Sequence, residues 1–191
     1  MPRRSRTLNV AFAASLGVLT AAGAYVIIPL PFSPVPITGQ TFFVLLAGLL
    51  LGARWGATAM VTYLIIGSAG FPVFSGGSGG IGILFGPTGG YLIGFVFAAL
   101  IVGYIAQHAV GKAPKYRRGL FVVGMIVGST VIYAVGVPWL ALVADMTLTK
   151  AMVLGLFPFV LGDVVKAAAA VLVAESLWST VSFMPIYSVK K

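Results

Sequence analysis

Residues 112–118 read KAPKYRR, and this basic segment decides how many times the chain crosses a membrane. It stands between two long stretches that contain no Lys, Arg, Asp or Glu. Basic clusters between uncharged stretches are typical of the cytoplasmic loops of helical membrane proteins. A second basic cluster, Arg3, Arg4 and Arg6, precedes the first uncharged stretch. If both clusters are cytoplasmic, the chain must cross the membrane an even number of times between them.

The composition requires lipid as the solvent. Apolar residues make up 60% of the 191 residues and charged residues only 8%, whereas about a quarter of the residues of a soluble domain are charged. The net charge of +9 would suit nucleic-acid binding, but the charges lie in short loops between apolar stretches rather than along one surface. We therefore expect a lipid bilayer and no nucleic acid as partner. With no cysteine, disulfides and thiolate sites are excluded.

Glycine, proline and basic residues divide the chain into six apolar segments within a single domain of residues 1–191. The apolar segments predict six helices, at about residues 7–28, 41–51, 56–66, 90–108, 119–144 and 158–181. The first is long enough to span the hydrocarbon core, so we interpret it as a retained helix and not as a cleaved signal peptide.

The second and third predicted helices are short for membrane spans, and the alternative is one long helix through Arg54. That alternative would place the KAPKYRR segment outside, against the positive-inside bias. With six spans, every Lys and Arg except Lys150 and Lys166 lies on the cytoplasmic side. The sequence therefore predicts an all-α, polytopic protein of the cell membrane, with six transmembrane helices and both termini cytoplasmic.

The first two outer connections, residues 29–40 and 67–89, are long, uncharged and rich in Gly and Pro. Such segments are usually flexible connections. The second also carries apolar side chains every few residues, which solvated linkers do not: Phe71, Phe74, Ile81, Leu84 and Phe85. This pattern favours a lid over an apolar pocket.

Asp163 and Lys166 lie within the last predicted span, on one face of the helix because of their i, i+3 spacing. Ionisable residues at membrane depth are costly, and such a pair suggests a functional site. Lys166 is suited to an anionic group such as a carboxylate, and Asp163 to N–H donors such as those of a ureido or amide group. The alternative is that Asp163 and Lys166 form a salt bridge with only a structural role.

The sequence offers little for catalysis. It has no G-x-x-x-x-G-K-[ST] motif for ATP, and one histidine and three acidic residues form no triad or metal-ligand cluster. We expect no catalytic residues, no metal site and no cofactor, so the chain can bind a ligand but not hydrolyse ATP.

Three separated motifs carry a resemblance to a known family. They are PFSPVPITGQTFFVLLAGLLLG (residues 31–52), GFPVFSGGSGGIGILFGPTGGYLIGF (residues 70–95) and LGDVVKA (residues 161–167). In the same order, they resemble the BioY family, the biotin-specific substrate-capture (S) subunits of energy-coupling-factor transporters. The resemblance runs from about residue 8 to residue 175.

The resemblance implies an S-component-like six-helix fold with a biotin pocket that faces outward under the loops of helices 1–2 and 3–4. It implies that Asp163 and Lys166 help bind the vitamin, and we add Gln40, Ser78 and Tyr91 as further candidate ligand contacts. Position 92 is a leucine. Where a relative has a basic residue there, this chain lacks that anchor.

The resemblance also implies partners: a transmembrane coupling subunit and two ATPase subunits. S subunits carry an A-x-x-x-A contact for the coupling subunit on helix 1, and Ala11 and Ser15 have its spacing with Ser in the second place. A neighbouring set of small residues, Ala13, Gly17 and Ala21, fits internal packing or partner binding equally well.

Two alternatives to biotin capture stay open. One is capture of a different small vitamin, in which Lys166 meets another anion. The other is a membrane scaffold subunit without a ligand, in which Asp163 and Lys166 form a structural pair.

Overall fold

The computed structural model of the chain describes residues 3–181, and the side chains of residues 6–178. Lys190 and Lys191, which are predicted to be cytoplasmic, lie outside the described residues. The regular elements are, in chain order, α1 (Arg3–Tyr25), β1 (Ile27–Ile28), β2 (Ile37–Thr38), α2 (Gln40–Ser68), α3 (Gly89–Gln107), α4 (Pro114–Val143), α5 (Leu148–Gly155) and α6 (Phe157–Val181). Two short 3₁₀ turns, Ser75–Gly77 and Ile81–Phe85, lie in the connection between α2 and α3.

Within the described part of the chain, five helices are long and apolar enough to span a membrane: α1, α2, α3, α4 and α6. Their outward surfaces are apolar as well. On α6, Leu161, Val165 and Leu172 each expose more than 60% of their surface, which suits contact with lipid tails rather than water.

Helix α2 is a hairpin that crosses the membrane twice. Gly52 interrupts it with a non-helical backbone, φ 72° and ψ 178°. The side-chain amide of Gln40 lies 2.5 Å from the hydroxyl of Tyr63, whereas a straight helix would separate these residues by about 35 Å. We call the two arms α2a (residues 40–51) and α2b (residues 53–68). The prediction of six crossings is therefore confirmed.

The hairpin turn lies at the cytoplasmic end of the molecule. Gly52 packs against Gly103 and the side chain of Gln107, near the end of α3 that leads into the KAPKYRR segment. Arg54 is exposed beside the turn. Gly56 packs against Gly48, where a Cβ would lie 3.1 Å from the Gly48 Cα, and this close approach brings the two arms together. Six crossings place both ends of the described chain on this basic side.

The elements at the outer side differ from the predicted boundaries. Helix α1 ends at Tyr25, and residues 27–28 pair antiparallel with residues 37–38. The first outer connection is thus a small β-hairpin. Helix α5, which precedes α6 by one residue, has no counterpart among the predicted helices; its N-cap Thr147 accepts a hydrogen bond from the backbone of Lys150.

At the cytoplasmic side, α4 begins at Pro114, five residues before the predicted start. Proline is favoured at the first position of a helix. Arg117 and Arg118 therefore belong to the first turns of α4. The side chain of Arg117 donates two hydrogen bonds, each 2.9 Å long, to the carboxylate of Glu175 on α6.

Candidate ligand-binding site

A cavity opens between the start of α2a, the α2–α3 connection, α3, α4 and α6. It holds about 570 Å³ of non-protein space, part of it open to solvent. Because Gln40 at the outer end of α2a lines it, it lies in the outer half of the molecule. Apolar side chains form most of the wall: Val35, Leu92, Phe95, Ile132 and Phe159.

The polar corner of the cavity is centred on Lys166. Its ammonium nitrogen lies 2.7 Å from Asp163 Oδ1, and it donates hydrogen bonds to Thr41 Oγ1 at 2.7 Å and to the Thr38 carbonyl at 3.2 Å. Asp163 Oδ2 accepts a hydrogen bond from the hydroxyl of Tyr133. The side chains of Lys166 and Asp163 are only 18% and 13% exposed. Burying a charge costs several kcal/mol, and these contacts offset that cost.

A second set of hydrogen bonds ties the start of α2a to the α2–α3 connection. Gln40, which is 3% exposed, donates from its amide to Tyr63 OH, and Tyr63 OH donates to the carbonyl of Val73 at 2.9 Å. The hydroxyl of Thr38 donates to Gln40 Oε1 at 3.0 Å. Gln40 therefore stands between the Lys166 cluster and the loop above the cavity.

We call residues 69–88 the outer lid. Phe74 anchors it, since its ring is fully buried, packs edge-on against Tyr63, and lies so close to Gly67 that no Cβ would fit there. Two further bonds hold the lid: Tyr25 OH donates to the Pro72 carbonyl at 2.6 Å, and Trp139 Nε1 donates to the Gly86 carbonyl at 3.0 Å.

The lid anchors predicted from the sequence divide into two groups. Phe74 and Leu84 pack against the core, as expected. Phe71, Ile81 and Phe85 are more than half exposed and do not anchor the lid inward. Glycines with positive φ at 76, 77 and 80 turn the backbone between Phe74 and Ile81.

Four of the five predicted ligand contacts line the same cavity: Gln40, Tyr91, Asp163 and Lys166. Ser78 is not among the lining residues; its hydroxyl donates to the Ser75 carbonyl at 2.8 Å. The serine of the lid that lines the cavity is Ser75. Among the described residues, its Oγ is the one buried side-chain N or O atom without a hydrogen-bond partner.

Tyr91 lines the cavity with its ring and uses its hydroxyl elsewhere. The hydroxyl donates to the Gly155 carbonyl at the end of α5, at 2.8 Å. The ring packs edge-on against Tyr133, with 6.3 Å between centroids. Helix α5 thus supports the cavity wall from behind, and Gly155 leaves room for the Tyr91 hydroxyl because it has no Cβ.

Four residues that line the cavity were not predicted from the sequence: Thr38, Thr41, Ser75 and Tyr133. Thr38 and Thr41 flank Gln40 in the ITGQT segment, and a cluster of polar residues at the start of an apolar helix was an available signal. Tyr133 had no such signal, because it is one hydroxyl within a long apolar helix.

The small residues of α1 separate into an inner and an outer face. Ala13 is buried, and Gly17 packs against the Ala59 carbonyl of α2b, so this face serves internal packing. Ala11 and Ser15 are exposed, and the Ser15 hydroxyl donates to the Ala11 carbonyl at 2.9 Å. They face away from the bundle, and their contact with a coupling subunit stays a prediction.

The fold and the cavity define a class: a multi-pass α-helical membrane protein with a small-molecule site under an outer lid. The sequence model of the BioY family matches residues 1–183. The chain therefore belongs to the BioY family.

Individual relatives are similar in sequence to this chain over most of its length. The biotin transporter BioY of Rhizobium etli is 39% identical over 188 residues, covering 97% of this chain and 98% of the relative. The probable biotin transporter BioY of Pyrococcus horikoshii is 43% identical over 169 residues, covering 88% of this chain and 95% of the relative. The crystal structure of an S-component for biotin from an ECF-type ABC transporter superposes with a TM-score of 0.86 at 26% identity. The superposition covers 94% of this chain and 95% of that structure's chain.

Proposed function

We propose that this chain captures biotin at the outer face of the cell membrane, as the substrate-binding subunit of an energy-coupling-factor importer. The observation that carries the proposal is the lidded cavity with the Asp163–Lys166 pair at its polar corner, in a chain whose relatives are named biotin transporters. A transmembrane coupling subunit and two ATPase subunits complete the importer, and the exposed face with Ala11 and Ser15 is the proposed contact.

The chemistry of biotin suits the cavity. Its ureido ring offers two N–H donors and one carbonyl acceptor, and the rest of the molecule is an apolar ring and an alkyl chain that ends in a carboxylate. Asp163 has lone pairs left to accept an N–H, since its two oxygens each have one partner. Phe95, Ile132 and Phe159 offer an apolar wall for the ring and the chain.

Titration calorimetry of the purified chain with biotin tests the proposal, with riboflavin and thiamine as controls. We expect selective binding of biotin. Asp163→Asn should weaken it by about 1–3 kcal/mol, or about 5- to 150-fold, because one acceptor of a buried N–H becomes a neutral amide. Asp145→Asn is the matched control, since Asp145 is exposed and has a positive φ that Asn tolerates.

The outcomes separate the alternatives. Binding of riboflavin or thiamine in place of biotin would assign the cavity to a different vitamin. No binding by a folded, monodisperse preparation would favour the scaffold role, in which Asp163 and Lys166 only stabilise the fold. Equal losses in Asp163→Asn and Asp145→Asn would remove Asp163 from the site.

A further inference from the structure

The cavity carries no net charge. Of the described residues that line it, only Asp163 and Lys166 are charged, and their side chains are in contact at 2.7 Å. Each therefore neutralises the other. An anionic ligand would meet a balanced pair and not a free cation.

Lys166 has also used its capacity to donate hydrogen bonds. An ammonium group has three N–H donors. Three oxygens surround its nitrogen within 3.2 Å: Thr41 Oγ1, the carbonyl of Thr38 and Asp163 Oδ1. A ligand carboxylate would have to displace one of them to reach Lys166.

No other cation stands near the cavity in the chain segments that cover it. The outer connections, residues 29–40 and 67–89, contain no Lys, Arg or His. Leu92, on the first turns of α3, lines the cavity as an apolar side chain. The remaining basic residue on the outer side, Lys150, is exposed on α5 and does not line the cavity.

The hydrogen-bonding positions that remain unused in the cavity suit a neutral, hydrogen-bonding head group. An ionised carboxylate offers about four lone-pair sites, and Asp163 has used two of them, for Lys166 and Tyr133. The buried hydroxyl of Ser75 has no partner among the described residues and can donate or accept. Together they offer an acceptor for an N–H and a donor for a carbonyl, the pair that a cyclic urea or amide requires.

We infer that this site recognises its ligand through the neutral ureido head group and holds the carboxylate with no fixed cation. The inference rests on the proposed function. Its consequence is a wider substrate class: the chain takes biotin and carboxyl-neutral biotin derivatives with similar affinity, whereas methylation of the ureido nitrogens weakens binding by about tenfold or more.

The test compares three ligands on the full chain by titration calorimetry at fixed pH and salt. They are biotin, biotinamide, which replaces the carboxylate by a neutral group of nearly the same size, and biotin methylated at both ureido nitrogens. We expect biotinamide to bind within about tenfold of biotin, and the dimethylated compound to lose about tenfold or more.

Biotinamide weaker than biotin by more than about tenfold would overturn the inference, because a carboxylate held by a fixed cation contributes at least that factor. Near-equal binding of the dimethylated compound would overturn it too. Lys166→Met adds a check: the affinity ratio of biotin to biotinamide should stay within about tenfold of its original value, and a larger change would assign the carboxylate to Lys166. If biotin itself fails to bind, the proposed function fails, and the inference falls with it.

Discussion

The hydroxyl of Tyr63 holds the outer lid over the cavity, and removing it should speed ligand release. In Tyr63→Phe the amide of Gln40 loses an acceptor and the carbonyl of Val73 loses a donor. Each hydrogen bond contributes about 1 kcal/mol net. Of the two, only the bond to Val73 joins the lid to a helix, so its loss favours an open lid by about 1 kcal/mol, or about fivefold in the opening equilibrium.

The assay is a chase experiment that follows the loss of bound biotin after excess unlabelled ligand is added. If opening of the lid precedes release, the dissociation rate should rise by up to about fivefold. The association rate should not fall, because Tyr63 is not among the residues that line the cavity. Tyr104→Phe is the matched control, since Tyr104 is exposed at the opposite end of α3.

An unchanged dissociation rate in a folded Tyr63→Phe protein would refute this reasoning. It would mean that the ligand leaves by another route, or that Phe74 alone keeps the lid in place. An equal rise in the dissociation rate of Tyr104→Phe would show that the effect is not specific to the lid.

Two further predictions concern stability. Glu175→Gln should lower the free energy of unfolding by about 1–3 kcal/mol, because it breaks the charge-assisted bonds from Arg117, and biotin affinity should be retained since the pair lies at the cytoplasmic end. Thermal unfolding in detergent measures the loss of stability. An equal loss in Arg118→Gln, which changes a more exposed residue, would contradict the prediction. Gly52→Ala should destabilise the protein by about 1–3 kcal/mol because its φ of 72° and ψ of 178° suit only glycine. Gly119→Ala, in a helix with open space around it, is the control and should be neutral or stabilising, so a Gly52→Ala protein as stable as this control would argue against the hairpin turn.

The crossings were predictable because they depend on features that are local in sequence. The basic residues of the KAPKYRR segment and the break at residues 52–55 carry the topology by themselves. The hairpin in α2 follows from the even number of crossings, even though a single apolar run of 29 residues is also consistent with one long helix. Asp163 and Lys166 were predictable for the same reason, because charges in an apolar helix are conspicuous.

The partners of these charges were not predictable, because they come from distant parts of the chain. Lys166 meets Thr38 and Thr41 across 128 and 125 residues, and Asp163 meets Tyr133 across 30. A single hydroxyl in an apolar helix follows no periodic pattern. The choice between Ser75 and Ser78 depends on the backbone turns at the positive-φ glycines 76 and 77, which sequence alone does not specify.

The lid is fastened to three different helices: to α1 through Tyr25, to α2b through Tyr63 and to α4 through Trp139. A tilt of the whole molecule as a rigid body leaves all three fastenings intact. Movement of α1 away from α4 must break at least one of them. The position of the lid is therefore coupled to the spacing of these helices through bonds that lie outside the cavity and do not depend on which ligand fills it.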